Sequence, residues 1–399
     1  MPANHHHKSL AASGNNVSQH DIFILNTSKR CESNALLFSQ TINFLVVNGY
    51  FISRNIDSCD TILVNSCCVS EEKIDASLLA LQIARPFAGK KRIILLGCLA
   101  TLPTERLDRH NLICIGPKDL LSLDKYFDHH ISIKNIPVNH LPPELFASGQ
   151  GLGSRDYYIL IAQGCSNHCS YCNIKRSKGS VTSVPIKSVL EQVRLGLSRG
   201  VKEFSFLADD CGSYGDDNGT DLLQLIEAVF LLAPGFTLKL LYLYPDFLLK
   251  RFDALKGIFQ SARIGFVHIP VQSGSQRVLN LMNRNYDIAE VMDCIRNIRA
   301  IAPQTKLVTH ILLNFPTETE DDFMASLVVA ELFDDVIFLQ FSENQDTGAA
   351  ALYPKVSAQE VKTRLDAASA FVNQRLTGGG CVITDFNCTI PYNLMTGQR

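Results

Sequence analysis

The stretch Gly164-Cys165-Ser166-Asn167-His168-Cys169-Ser170-Tyr171-Cys172 follows directly on the apolar run Tyr157-Tyr158-Ile159-Leu160-Ile161-Ala162. Three thiols spaced C-x3-C-x2-C after a strand-like run can converge on one iron–sulfur cube and leave its fourth iron without a protein ligand. A cube held by four cysteines mainly carries electrons, whereas an open iron can take a chelating ligand. A loop with this chemistry at the carboxyl end of a strand also points to a fold of alternating strands and helices, where such ends collect the functional residues.

The amino and carboxylate groups of S-adenosylmethionine are the chelating pair that suits an open iron, and reduction of the sulfonium then releases a radical. The loop therefore predicts a radical S-adenosylmethionine enzyme with Cys165, Cys169 and Cys172 as cluster ligands. A structural zinc site is the plainer alternative, but zinc prefers four closed ligands and no second C-x2-C pair lies nearby. Tyr171 suits a ring packed beside the adenine, or one that covers the cluster from water. No catalytic residue is assigned beyond the cluster ligands.

With 399 residues the chain is long enough for two or three domains. The hydrophobic share of 46% and charged share of 19% predict large cores in a soluble globular protein. A formal net charge of −2 shows no global basic field, which weighs against nucleic acid as partner. Thirteen cysteines without a secretory signal point to a reducing cytoplasm. The apolar runs are of strand length, far short of the roughly 20 residues of a membrane helix, so no membrane is expected. Residues 1–19, polar and carrying His5-His6-His7, read as a disordered leader that is native or the remnant of a tag.

From residue 20 to 136 short apolar strands (22–25, 61–65, 93–96, 112–115) alternate with helical stretches (32–48, 71–84, 104–108), the pattern of an open parallel α/β sheet. Cys31, Cys67 and Cys98 each fall at or shortly after a strand end. Buried thiols are usually small apolar residues, yet three in corresponding positions on one sheet edge predict a second iron–sulfur cluster. Cys68 is an alternative to Cys67 that the spacing leaves open.

Residues 137–154, rich in proline and glycine, read as a linker. Six strand–helix units follow over 155–376, predicting a partial (β/α)6 barrel with its chemistry at the strand ends. There Asp209, Asp210 and Ser273 are candidate contacts to S-adenosylmethionine, although strand-end acids are often no more than helix caps. A last helix is expected over 358–376, and then a short tail, 377–399, with Cys381 and Cys388 as thiols of no assigned role.

Taken together, Cys31-Glu32-Ser33-Asn34, Asn65-Ser66-Cys67, Gly97-Cys98-Leu99-Ala100, the loop from Cys165 to Cys172 and Lys178-Gly179 resemble the radical S-adenosylmethionine methylthiotransferase family over about residues 21–375. Ala208-Asp209-Asp210-Cys211-Gly212-Ser213-Tyr214-Gly215 and Leu241-Tyr242-Leu243-Tyr244-Pro245 are closest to its RimO-like branch, while Asn314 and Thr317 replace usual glycines. The resemblance implies two [4Fe–4S] clusters and S-adenosylmethionine. It also implies insertion of a methylthio group at an unactivated C–H bond, with a deoxyadenosyl radical removing the hydrogen atom and a second S-adenosylmethionine supplying the methyl group. The small C-terminal TRAM barrel of the family has no counterpart in 377–399. A protein or peptide residue is the expected substrate, such as an aspartate β-carbon or a residue of a natural-product precursor peptide. An external electron donor (flavodoxin or ferredoxin) and a sulfur donor are the expected partners. The alternatives are a tRNA methylthiotransferase and another radical enzyme whose auxiliary cluster only relays electrons.

Overall fold

A computed structural model describes residues 21–28, 31–140, 156–374, 381–383 and 390–391. The leader 1–19, most of the 137–154 stretch, and Cys388 lie outside them. The chain first forms β1 (Asp21–Asn26), α1 (Glu32–Val47), β2 (Phe51–Ile52), β3 (Thr61–Ser66), α2 (Glu71–Ala84), β4 (Arg92–Gly97), α3 (Cys98–Thr101) and β5 (Ile113–Ile115). The strands β1, β3, β4 and β5 lie side by side and parallel. Their central residues, such as Ile62-Leu63-Val64 and Ile93-Ile94-Leu95, are buried with no alternation, because helices cover both faces of a parallel sheet.

The second unit comprises β6 (Tyr157–Leu160), β7 (Ala162–Gln163), α4 (Asn173–Lys178), β8 (Thr182–Ser183), α5 (Ile186–Ser198), β9 (Glu203–Leu207), α6 (Leu222–Phe230), β10 (Thr237–Leu241) and α7 (Pro245–Gln260). It continues with β11 (Ile264–His268), α8 (Gln276–Leu281), α9 (Ile288–Ile301), β12 (Lys306–Leu313), α10 (Glu320–Ala330), β13 (Asp335–Gln340) and α11 (Ala358–Gln374). The main sheet runs β6-β9-β10-β11-β12-β13 in parallel, the open barrel expected from the repetition. Local signals set the helix starts: Asp287 caps α9 through its carboxylate, and Thr319 with Asp322 forms a capping box on α10.

Two expectations differ from the structure. Residues 104–108 form no helix: Pro103 disfavours helical geometry at Leu102, and Arg106 is drawn to Glu71 and Asp75 on α2. The tail supplies sheet instead, since β14 (Cys381–Ile383) adds a seventh parallel strand beside β13, and β15 (Ile390–Pro391) pairs antiparallel with β1.

An apolar contact is among those that join the two units. Ala35 and Leu36 of α1 pack in a single apolar cluster with Tyr158, Leu207, Leu241, Phe266, Val308 and Ile337 from the barrel strands. The first helix of the N-terminal sheet thus plugs the barrel lumen, and Cys31 at its start comes to the barrel's chemical end.

Candidate active site

The barrel loop turns on Gly164, whose φ is +82°. A Cβ there would meet Ser180 O at 2.4 Å and Gly179 O at 2.8 Å, so the turn requires glycine. Asn167 donates to Cys165 Sγ from its backbone N–H and its side-chain amide, each at 3.3 Å, and that amide also donates to Asp210 Oδ2 at 2.8 Å. The buried guanidinium of Arg284 donates to Cys169 Sγ at 3.4 Å, Tyr171 Oη at 3.3 Å, Pro270 O at 2.6 Å and Tyr286 Oη at 2.9 Å. Cys172 stands at the N-terminus of α4. The loop's three thiols are partly exposed. Burial, then the charge of Asp210, pushes Cys165 up to about 11, and burial with Cys169 pushes Cys172 up to about 12. Thiols held this high become thiolates only when a bound cation replaces the proton.

Sheet register gathers the second triad. Asn26 is level with Asn65, and Ser66 with Gly97, so the chain leaves β3 into Cys67 and β4 into Cys98 side by side. Gly97 has φ +100°, and a Cβ would lie 2.4 Å from Ser66 O. Cys31 caps α1, its Sγ accepting from Asn34 N–H at 3.5 Å. Burial raises the Cys31 thiol while Lys178 opposes the rise, and Cys67 and Cys98 reinforce it. A hydrogen bond from Cys68, the largest effect, draws Cys98 down to about 7. Cys68 packs in the same apolar cluster as Cys98, Val64 and Leu99, and it is Cys67, not Cys68, that is among the charges felt by Cys31.

The two triads are tied by α4, which follows Cys172 immediately. Ser177 Oγ donates to Cys98 O at 2.6 Å, and Asn173 Nδ2 to Cys68 O at 3.0 Å. Lys178 Nζ donates to Ser33 Oγ at 3.1 Å and Asp209 Oδ1 at 2.7 Å, and Gly164 N–H donates to Asp209 Oδ2 at 2.7 Å. Burial alone would lower the Lys178 ammonium, but Asp209, Cys98 and Cys31 hold it protonated. Cys98 and Lys178 line one small recess together with Asn34, Asn65 and Gly97.

The four candidate cofactor contacts are placed as follows. Asp209 bridges Lys178 and Gly164. Asp210 accepts from Gly212 N–H, Ser213 Oγ, Asn167 Nδ2 and Tyr244 N–H, so both its oxygens brace the loop. Ser273 is fully buried and accepts from Ser275 N–H at 3.1 Å. The Tyr171 ring stands edge-on to Phe315, 6.3 Å between centroids.

Lys178 and Arg284 were not singled out from the sequence; the first lies in a quoted motif, the second in none. Nor were three acceptors at strand ends, Gln163 Oε1, Gln272 Oε1 and Asn314 Oδ1, which are buried without a hydrogen-bond partner in the chain. Such atoms are satisfied in native proteins, and the ammonium and ribose hydroxyls of S-adenosylmethionine are donors that would satisfy them. His268 is also buried with both ring nitrogens unpartnered, 4.1 Å between centroids from His310 and 4.7 Å from Tyr242, whose hydroxyl donates to Glu32 Oε2 at 2.6 Å. Among the described residues no three His, Cys, Asp or Glu side chains are drawn together tightly enough for a single metal ion; the zinc alternative gains no support from that, while a cube spaces its thiolates more widely. In donor chemistry, the two sets of free thiols suit iron–sulfur clusters and the orphaned acceptors suit S-adenosylmethionine.

Residues 159–328 match the model of the radical SAM superfamily. In solved structures, the fold is similar to TsrM, a radical S-adenosylmethionine methyltransferase from Kitasatospora setae with cobalamin and a [4Fe–4S] cluster bound: TM-score 0.51, 11% identity, 80% of this chain and 74% of that one. The cobalamin-dependent radical enzyme OxsB gives TM-score 0.52 at 13% identity, over 95% of this chain and 60% of that one. The tRNA-2-methylthio-N(6)-dimethylallyladenosine synthase of Azobacteroides pseudotrichonymphae is 29% identical, covering 84% of this chain and 77% of the relative. The ribosomal protein uS12 methylthiotransferase RimO of Desulfotalea psychrophila is 30% identical over 76% of this chain and 71% of its own. On that identity and coverage the chain belongs to the radical S-adenosylmethionine methylthiotransferases, transferases that work with S-adenosylmethionine and [4Fe–4S] clusters, an auxiliary one included.

Proposed function

We propose that the enzyme inserts a methylthio group at an unactivated C–H bond of a protein or peptide residue. The observation that carries this over a tRNA substrate is the charge: a chain with net charge −2 lacks the basic field that a phosphate backbone calls for. The relatives divide on this point, one at 30% identity named for a ribosomal protein and one at 29% for a tRNA nucleoside.

In this reading Cys165, Cys169 and Cys172 hold the radical-generating cluster, and Cys31, Cys67 and Cys98 the auxiliary one. Bound there, the clusters supply the electron that cleaves S-adenosylmethionine and an iron site for the sulfur to be methylated. The chain's own groups position these events. Asn167 and Arg284 donate to the sulfurs of Cys165 and Cys169; Gln163, Gln272 and Asn314 present acceptors to S-adenosylmethionine, with Tyr171, Asp209, Asp210 and Ser273 shaping the wall behind them. Residues 20–136 serve as the methylthiotransferase unit and 155–376 as the radical unit. A flavodoxin or ferredoxin supplies electrons, a separate donor the sulfur, and a reducing cytoplasm is the setting.

Anaerobic reconstitution with S-adenosylmethionine, dithionite and sulfide tests this. Deoxyadenosine together with S-adenosylhomocysteine, and a methylthio mass increase on ribosomal protein or candidate peptides, is the expected result. Modification of tRNA nucleosides alone overturns the substrate class; deoxyadenosine without S-adenosylhomocysteine points to the electron-relay alternative.

A further inference from the structure

We propose that Lys178 is the counter-charge at the Cys31 and Cys98 side of the Cys31, Cys67 and Cys98 triad, a positioning residue that, balanced by Asp209, sets how readily the auxiliary cluster accepts an electron. The inference rests on the cluster assignment above and goes beyond it by naming the group that tunes it.

The placement is unusual for a lysine. Lys178 is only 5% exposed and lies at the end of a helix that begins at a ligand of the other cluster. A solvated surface lysine would be screened within a few ångströms of water; a buried ammonium is screened much less and acts on whatever lies beside it. What lies beside it is specific. It lines the pocket next to Cys98, and its Nζ is 3.1 Å from Ser33 Oγ, two residues beyond Cys31. The opposing charge is equally specific, since Asp209 Oδ1 is 2.7 Å away and its other oxygen is held by Gly164 N–H, the residue before Cys165. Other charges nearby differ in address. Lys73, also buried, bonds Thr27 O and faces Cys67; Lys118 reaches Ser180 O; Glu32 is turned to Tyr242.

Thiolate ligands and sulfides give a [4Fe–4S] cluster negative charge, and reduction adds one more electron with no bond formed. A positive charge at Lys178 favours the reduced form, and the carboxylate of Asp209 offsets it. Removing one or the other therefore shifts the equilibrium in opposite directions. A residue that only held the two units together would shift both variants the same way, toward loss of the cluster.

The test uses full-length protein in which Cys165, Cys169 and Cys172 are alanine, so that one cluster remains, titrated with dithionite and mediators and followed by EPR. About four irons in that background is the prior condition; their absence refutes the auxiliary-cluster assignment rather than the role of Lys178. With the cluster present, Lys178→Met is expected to make reduction at least tenfold harder, a fall of about 59 mV for a one-electron couple. Asp209→Asn is expected to raise the potential, Lys178→Arg to stay within about threefold of the parent, and the Lys178→Met/Asp209→Asn pair to return toward it. Should Lys178→Met fail to retain iron, the sign of the Asp209→Asn shift and the recovery in the double variant decide. A Lys178→Met shift under threefold, an Asp209→Asn shift downward, or a double variant worse than either single one overturns the proposal.

Discussion

Arg284 makes four side-chain hydrogen bonds from a fully enclosed position and carries its charge over the Tyr244 ring at 4.4 Å. Its partners Cys169 and Tyr171 are more than 110 residues away, so nothing local in the sequence marks it. Arg284→Met leaves Pro270 O and Tyr286 Oη short of a donor, at about 1–3 kcal/mol for each buried group; thermal unfolding should show the loss, and deoxyadenosine formation should fall at least tenfold while Lys at this position restores part of it. Cys67 and Cys68 separate in the same way. Cys67→Ala should remove about four irons and Cys68→Ala should keep them, because Cys67 and not Cys68 is among the charges felt by Cys31; iron and sulfide assays on the two variants decide, and the opposite pattern makes Cys68 the ligand. The histidine pair gives a pH dependence. Burial depresses His310 to about 3 and His268 well below its ordinary value. The unfolded chain then binds more protons than the native one between about pH 3 and 6.5, so stability rises with pH across that window and is lost as pH falls below about 6.5. His268→Gln should flatten the slope of melting temperature between pH 5.5 and 7; an unchanged slope assigns the acid sensitivity elsewhere.

At the scale of elements, the long strands and helices were legible because each carries its period and its caps in sequence: α2 has the bounds 71–84 expected for it. Short elements were not. α4, six residues directly after Cys172, has too few positions to show a period, yet it binds one triad to the other. β14 lies beyond a glycine run and takes its identity from pairing with β13, a contact no local pattern announces. The gathering of Cys31, Cys67 and Cys98 was readable because strand ends of a parallel sheet converge by topology, whereas Lys178 depends on which way one helix turns. The junction of β4 and α3 offers a direct check. Gly97→Ala places a Cβ against Ser66 O at a positive φ, at about 1–3 kcal/mol of strain. The auxiliary iron should be lost while iron bound at the barrel loop, and deoxyadenosine formation, persist; retention of both clusters means that Ser66 and Cys98 adjust more freely than the packing suggests.

At the scale of the molecule, the two units keep cores of their own and share one apolar cluster, to which α1 contributes Ala35 and Leu36. The inner face of that helix closes the barrel with them, its first residue Glu32 accepts from Tyr242, and its cap is Cys31. A helix that belongs to one sheet and completes another makes the distance between the triads a property of packing, with no dependence on the linker. The coupling is measurable at Glu32 and Tyr242, which are 210 residues apart in sequence. Tyr242→Phe and Glu32→Ala should each cost about 1–3 kcal/mol, since each leaves a buried partner short of its hydrogen bond. The double variant should cost less than the sum by about 1–2 kcal/mol, and a Leu36→Ala change in the same helix about 2–4 kcal/mol through the cavity left in the lumen. Denaturant unfolding of the four proteins of the cycle and of Leu36→Ala, read at tyrosine fluorescence and at the cluster absorbance together, gives both quantities. Coincident transitions by the two probes with a coupling above about 0.5 kcal/mol establish α1 as the joint; additive costs, or a cluster absorbance lost well before the barrel unfolds, mean that the N-terminal sheet opens on its own and that the triads meet only part of the time.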